Sequence, residues 1–235
     1  MATRSRLLII GGIIVVLGIV AALAGPIVYR DLIAGPAADE PTAELQEAGA
    51  LEPSTLEEGE LAGTWTVTSG SYAGYRVDEV LNGTDVTVTG RTEQVSGTVE
   101  TSEMTVTAAT ITVDVASITT DSSNRDEYFR NRALLVEQYP TATFELAGPI
   151  AAPEGASVDE PQTVAATGIL TMAGVSRDVT VELVAAVSGS TVQVAGQIPV
   201  TFADYGVEAP NLGFVQVEPS GFVEFLVVFE KLEGD

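Results

Sequence analysis

Three arginines, Arg125, Arg130 and Arg132, fall within eight residues in the segment SSNRDEYFRNRALLVEQYPTATF (residues 122–144) of a 235-residue chain whose formal net charge is -23. A guanidinium presents paired N–H donors that match a carboxylate or a phosphate. Two chemistries follow from that. One is ion pairing, with Arg125 locking its own element onto a neighbour and the other two meeting the chain's surplus carboxylates. The other is anion binding, with Arg130, helped by Arg125 or Arg177, holding a group such as phosphate. On a helix Arg125 and Arg132 stand about two turns apart while Arg130 points to another side, so the three do not share one contact.

Other reactive groups are scarce. The chain has no histidine and no cysteine, which removes the commonest general base, the commonest metal ligand, the thiolate nucleophile and the disulfide. A glycosidase-type reaction needs two carboxylates facing one cleft. Asp78, Asp114 and Glu182 are the acids to consider, but the alternation around them turns each outward and no motif fixes a pair. Neither an enzyme nor a metal or cofactor site is expected. With 33 acidic residues against 10 basic ones, nucleic acid is excluded as a partner.

The elements that must position the arginines are mostly strands. TWTVT (residues 64–68), YRVDEV (75–80), DVTVTGRT (85–92) and ITVDV (111–115) place apolar residues at every second position, the period of a half-buried strand. Asn82-Gly83 between two such runs signals a hairpin of type I′. The alternation resumes in ATFEL, TGILTM, DVTVELVAAV, TVQVAGQIPV and FVEFLVVF. Eight to ten strands of this kind build either a sandwich or a closed barrel. The inward sets are rich in Val, Ala and Gly, so a closed eight-stranded barrel would retain interior volume for a ligand. Between the two groups lies one helix, capped by Ser123 or Asn124, with Asp126 and Glu127 in its first turn and Tyr139-Pro140 as its stop. Placed between strands, it packs over a barrel end.

Ahead of this domain, residues 7–29 (LLIIGGIIVVLGIVAALAGPIVY) carry no charge and at 1.5 Å per residue are long enough to cross a bilayer. Arg4 and Arg6 precede the run and acids follow it, which orients the amino terminus to the cytoplasm and the remainder outside. Ala22-Leu23-Ala24 also has the form of a signal-peptide cleavage site. Residues 31–60 combine acids and prolines and predict a flexible, disordered tether. The expected organisation is therefore an anchor over 1–30, an acidic disordered linker over 31–60 and a β-domain over 61–235.

Four ordered motifs in the domain resemble the YceI-like family of exported polyisoprenoid-binding proteins. Ser117, Ile118 and Thr120 fit a strand end; Arg125, Asp126 and Arg130 fit the family's Arg-Asp helix. Tyr139, Pro140, Thr143 and Phe144 fit a Tyr-Pro-x-x-Thr-Phe strand, and Gly168, Leu170, Thr171, Gly174 and Val175 a following hairpin. Asp204, Tyr205 and Gly206 fit a later Asp-aromatic-Gly element. The chain departs from the family in having Glu79 and Tyr128 where histidines are usual, Leu134 for an aromatic and Phe202 for a basic residue.

The resemblance implies an all-β domain, an eight-stranded antiparallel lipocalin-like barrel with a short helical insertion, here preceded by an N-terminal transmembrane helix. It also implies an apolar interior for an isoprenoid or other long-chain lipid. On the alternation above, that interior is lined by Tyr75, Val77, Ile111, Val113, Phe144, Leu170, Val181, Ile198 and Phe225, with Arg125, Arg130 and Arg177 available to a charged head group. The expected function is a membrane-tethered, outward-facing lipid-binding module at the cell membrane, and the alternative is a structural or adhesive envelope domain without a ligand. No protein partner is indicated by the sequence.

Overall fold

In a computed structural model of the chain, residues 37–46, 51–81, 83–213 and 215–232 are described. The alternating segments form twelve antiparallel strands: β1 (Gly63–Val67), β2 (Tyr72–Leu81), β3 (Thr84–Thr92), β4 (Val95–Ser102), β5 (Thr105–Asp114) and β6 (Thr141–Leu146), then β7 (Ile150–Ala151), β8 (Gln162–Met172), β9 (Val175–Ser188), β10 (Thr191–Thr201), β11 (Val215–Val217) and β12 (Ser220–Lys231). Eight of them close a ring in the order β1-β4-β5-β6-β8-β9-β10-β12, with β12 returning to β1. Closure depends on the length of β12. Its second half pairs with β1 (Val67 opposite Phe229), while its first half pairs with β2 (Arg76 opposite Phe222). The β2–β3 hairpin, turning between Leu81 and Thr84 with Gly83 at φ 79°, therefore extends the wall beyond the ring at one end, here called the mouth.

Side chains alternate as the period requires. Leu170, Val181 and Ile198 point inward and join Ala166, Met172 and Val200 in one buried cluster. At the end away from the mouth, Trp65 packs with Val227 and Phe229 and donates its indole N–H to the Leu61 carbonyl at 3.0 Å. That ring forms part of the wall of the interior at this end.

The helical insertion is shorter than its apolar spacing predicts. A regular helix runs only over Ser123–Tyr128 and widens into a π turn over Phe129–Ala133. Leu135 then adopts a left-handed φ of 50° and ends the element four residues before Tyr139. The cause is packing: the wide turn, with Leu134 N–H on the Phe129 carbonyl, swings Leu134 down against Val115 and Ile118. Ser122 stands at the cap position without a side-chain bond. Buried Asp126 holds the entry loop instead, accepting from the Thr120 N–H at 2.9 Å and its hydroxyl at 2.8 Å.

Of the stretch 31–60 expected to be a flexible tether, residues 37–46 and 51–60 are described, and they make contacts with the barrel. Pro41–Gln46 form a helical turn against the outside of the barrel, where Leu45, only 2% exposed, meets Val184 and Ala195 with Leu51 and Leu226 alongside. Arg76 and Arg91 donate to the Ala38 and Asp39 carbonyls. Farther along, the Thr55 N–H bonds the Gly189 carbonyl at 2.9 Å, and Leu56 packs toward Trp65. Leucines spaced among the acids supply the apolar face that composition alone concealed. The segment is a strap running from the β9–β10 turn up to the level of the mouth. Among the described residues no helix is long and apolar enough to cross a membrane; the 7–29 run lies outside them.

Candidate functional site

Two apolar chambers occupy the barrel. The inner one, about 240 Å³, is walled by Ile111, Phe144, Leu170, Val181, Ile198 and Phe225. The outer one, about 490 Å³, lies under the helix and is walled by Tyr75 and Val77 together with Leu134, Phe202 and Leu212. Val113, Ala142 and Met172 border both, so the chambers abut as one elongated space. A cavity of about 150 Å³ holds one benzene ring, so in proportion the inner chamber takes roughly ten carbons and the outer roughly twenty.

Glycines create part of this room. A Cβ on Gly168 would fall 2.3 Å from the Phe144 ring, and one on Gly196 would fall 2.9 Å from the Phe225 ring. In each case the tip of the ring occupies the place a side chain would take. All nine apolar residues expected inside line one chamber or the other. The sequence did not point to the loop contributions of Phe202, Val207 and Leu212, because they come from the irregular connection between β10 and β11 and have no period.

Polar groups gather at the mouth. Arg125 reaches the outer chamber and bridges two acids, with Nη1 2.6 Å from Asp121 and Nη2 3.2 Å from Glu79 on β2. Burial works against its charge, but Glu79 and Asp121 more than offset this and its pKa lies above the usual arginine value. Beside it Tyr75 stacks on Phe129, ring centroids 4.8 Å apart. Burial raises the Tyr75 pKa well above 10 despite the opposing pull of Arg125, and Asp126, Glu79 and Asp121 add to the rise. Asn124 and Glu208 complete the polar lining.

The other two arginines proposed for a head group do not reach this space. Arg130 turns back to the Ile118 carbonyl at 3.4 Å, and Arg177 is exposed on β9, bonded to the Ser176 carbonyl. Arg130 lies in the π turn and is half-buried. On β9 Arg177 stands opposite Leu170 and shares the inward register of Val179 and Val181, but it lies toward the open end, close enough to act on Tyr205, and its side chain is exposed. Neither of them lines the cavity.

The acids weighed for catalysis also lie apart. Asp78 accepts from Thr87, Asp114 caps the turn at Ala116, and Glu182 is exposed. Among the described residues no cluster of three acids, histidines or cysteines could hold a metal ion.

A family model described as a YceI-like domain matches residues 65–229. Among solved structures, a polyisoprenoid binding domain from Saccharophagus degradans, implicated in plant cell wall breakdown, is 20% identical; the match covers 73% of this chain and 99% of that one with a TM-score of 0.59. BcnA of Burkholderia cenocepacia is 23% identical over 67% of this chain and 95% of that one, with a TM-score of 0.53. At these identities the likeness concerns the fold. Among curated proteins none matches the chain.

Proposed function

Because the chain belongs to the YceI-like domain family, we propose that its barrel is a lipid-binding module that encloses an isoprenoid or other long chain and performs no chemistry on it. The observation that carries this reading is the pair of abutting chambers, apolar along their length and polar only at the mouth. Enclosing an alkyl chain there contributes about 0.8 kcal/mol per methylene without any polar contact. The polyisoprenoid-binding neighbour has the same fold, which supports the choice of ligand class.

The mouth further favours an uncharged head. Among the described residues the cation lining it is Arg125, already bridging Glu79 and Asp121, and Glu208 adds a second acid to the lining. An incoming phosphate would face that acidic surplus, whereas a hydroxyl or carbonyl meets Asn124 and the Arg125 N–H groups without repulsion. The reading continues at the amino terminus: residues 7–29 anchor the barrel in the cell membrane, with the barrel on the outer side.

Solvent extraction of the purified protein followed by mass spectrometry tests the module. A co-purified chain of roughly thirty carbons or fewer is expected from the volumes. Protein that carries no lipid and takes up neither farnesol nor geranylgeraniol would overturn the reading.

A further inference from the structure

We infer that the strap holds the barrel mouth-down on the bilayer that anchors it, with the rim at Leu135 and Leu212 seated on the lipid surface. This rests on the proposed anchor at residues 7–29. The first observation is where the strap ends. Ala38 donates to Thr89 and accepts from Arg76, two residues paired across β2 and β3, and Arg76 lies opposite Phe222, which lines the outer chamber. The strap's amino end is thus pinned at the level of the mouth.

The second observation is the amount of chain left over. Seven residues, 30–36, separate the apolar run from Ala37, and fully extended they span at most ~25 Å. From Phe222 to Glu230 on β12 the strand climbs eight residues, which at ~3.3 Å per residue and a tilt near ~40° is about 20 Å along the barrel axis. With the far end toward the membrane, most of that span would be used in returning along the barrel before the head groups are crossed. With the mouth toward the membrane no return along the barrel is needed.

The third observation is the rim itself. Of the five large apolar side chains most exposed among the described residues, Leu135 and Leu212 lie at the mouth, 46% and 59% exposed, while Phe222, 40% exposed, stands at the same level on the outer face, in register with Arg76. Ile169 and Leu232 stand singly elsewhere. Arg130 and Arg132 flank Leu135, but Glu127, Glu137 and Glu208 share that end, so the contact is apolar and does not call for anionic lipid. A lipid tail would then pass from the bilayer into the outer chamber without crossing water.

The chain lacks cysteine, so single labels are clean. Full-length Leu135→Cys and Leu212→Cys place a fluorophore at the mouth, and Ser102→Cys and Ser190→Cys place it at the opposite end. Each is reconstituted into phosphatidylcholine vesicles, with and without phosphatidylglycerol, containing a lipid with a head-group nitroxide. The expected result is loss of fluorescence at 135 and 212 and its retention at 102 and 190, in both lipid mixtures. Protein that fails to float with the vesicles overturns the anchor and the orientation with it. Protein that floats but is quenched equally at both ends, or at neither, overturns the orientation and leaves the anchor standing.

Discussion

Arg125 Nη2 lies 3.2 Å from Glu79 Oε1, joining the helical insertion to β2 across the edge of the cavity. Glu79 is 5% exposed and Arg125 22% exposed, so the pair is mostly buried and breaking it leaves a carboxylate without its cation. Arg125→Ala is expected to destabilise the unliganded protein by roughly 1–3 kcal/mol, at the low end because water still reaches the guanidinium side. Denaturant unfolding of lipid-stripped protein checks this. The same variant should weaken geranylgeraniol and its phosphate alike; selective loss of the phosphate would mean that Arg125 holds an anionic head.

Tyr75 links stability to pH at the alkaline end. Its folded pKa is raised above the ordinary value of 10.0, primarily by burial, so above that pH the unfolded chain releases a proton that the folded one retains. The contribution is intact below pH 10 and declines as pH rises past it, at up to about 1.4 kcal/mol per pH unit. Tyr75→Phe keeps the stack on Phe129 and removes this proton. Thermal unfolding between pH 9 and 12 should show a shallower decline for the variant; Tyr205, raised mainly by its burial, leaves a residual slope in both proteins.

Gly168 is expected to govern the inner chamber. A side chain there meets the Phe144 ring well inside contact distance, so Gly168→Val drives the ring into the space otherwise open to a lipid tail. Overpacking of this kind costs about 1–3 kcal/mol. Retention of a twenty-carbon alcohol should fall more than that of a ten-carbon one, because the outer chamber is untouched. Equal retention of both by a folded variant would place the tail elsewhere.

The strand content and the inward face were legible because period-two alternation directly encodes which side chains share a face. Phe144, Leu170 and Phe225 were placed correctly for that reason. Barrel closure was not legible in the alternation, which left a sandwich open, and came only from the family resemblance, since closure depends on β12 dividing its pairing between β1 and β2. The position of Arg130 outside the cavity lining was not legible, because the spacing predicts a regular helix where a π turn and the left-handed Leu135 intervene. The strap was hidden by its acids: Leu45, Leu51 and Leu56 are too few to dominate composition, yet they meet an apolar stripe whose existence only the folded barrel creates.

Glu224 is the sharpest case of that kind, and it gives the last prediction. In FVEFLVVF it alternates outward and reads as a solvent-facing residue, but it is 0% exposed. Arg76 from β2 and Arg91 from β3, the next strand out, converge on its oxygens at 2.9 and 2.8 Å, and the strap closes over them by accepting from both guanidiniums through Ala38 and Asp39. Removing the carboxylate leaves two cations facing each other under the strap. Glu224→Ala should therefore cost about 3 kcal/mol, the lower part of the range for a broken buried pair, because Arg76 and Arg91 retain some access to water. The loss should appear first in the strap, as faster proteolytic cleavage between residues 37 and 60. Adding Arg76→Ala to Glu224→Ala should cost less than Arg76→Ala alone, since the partner it would have abandoned is already gone. Additive costs in that cycle would show that the three charges act independently.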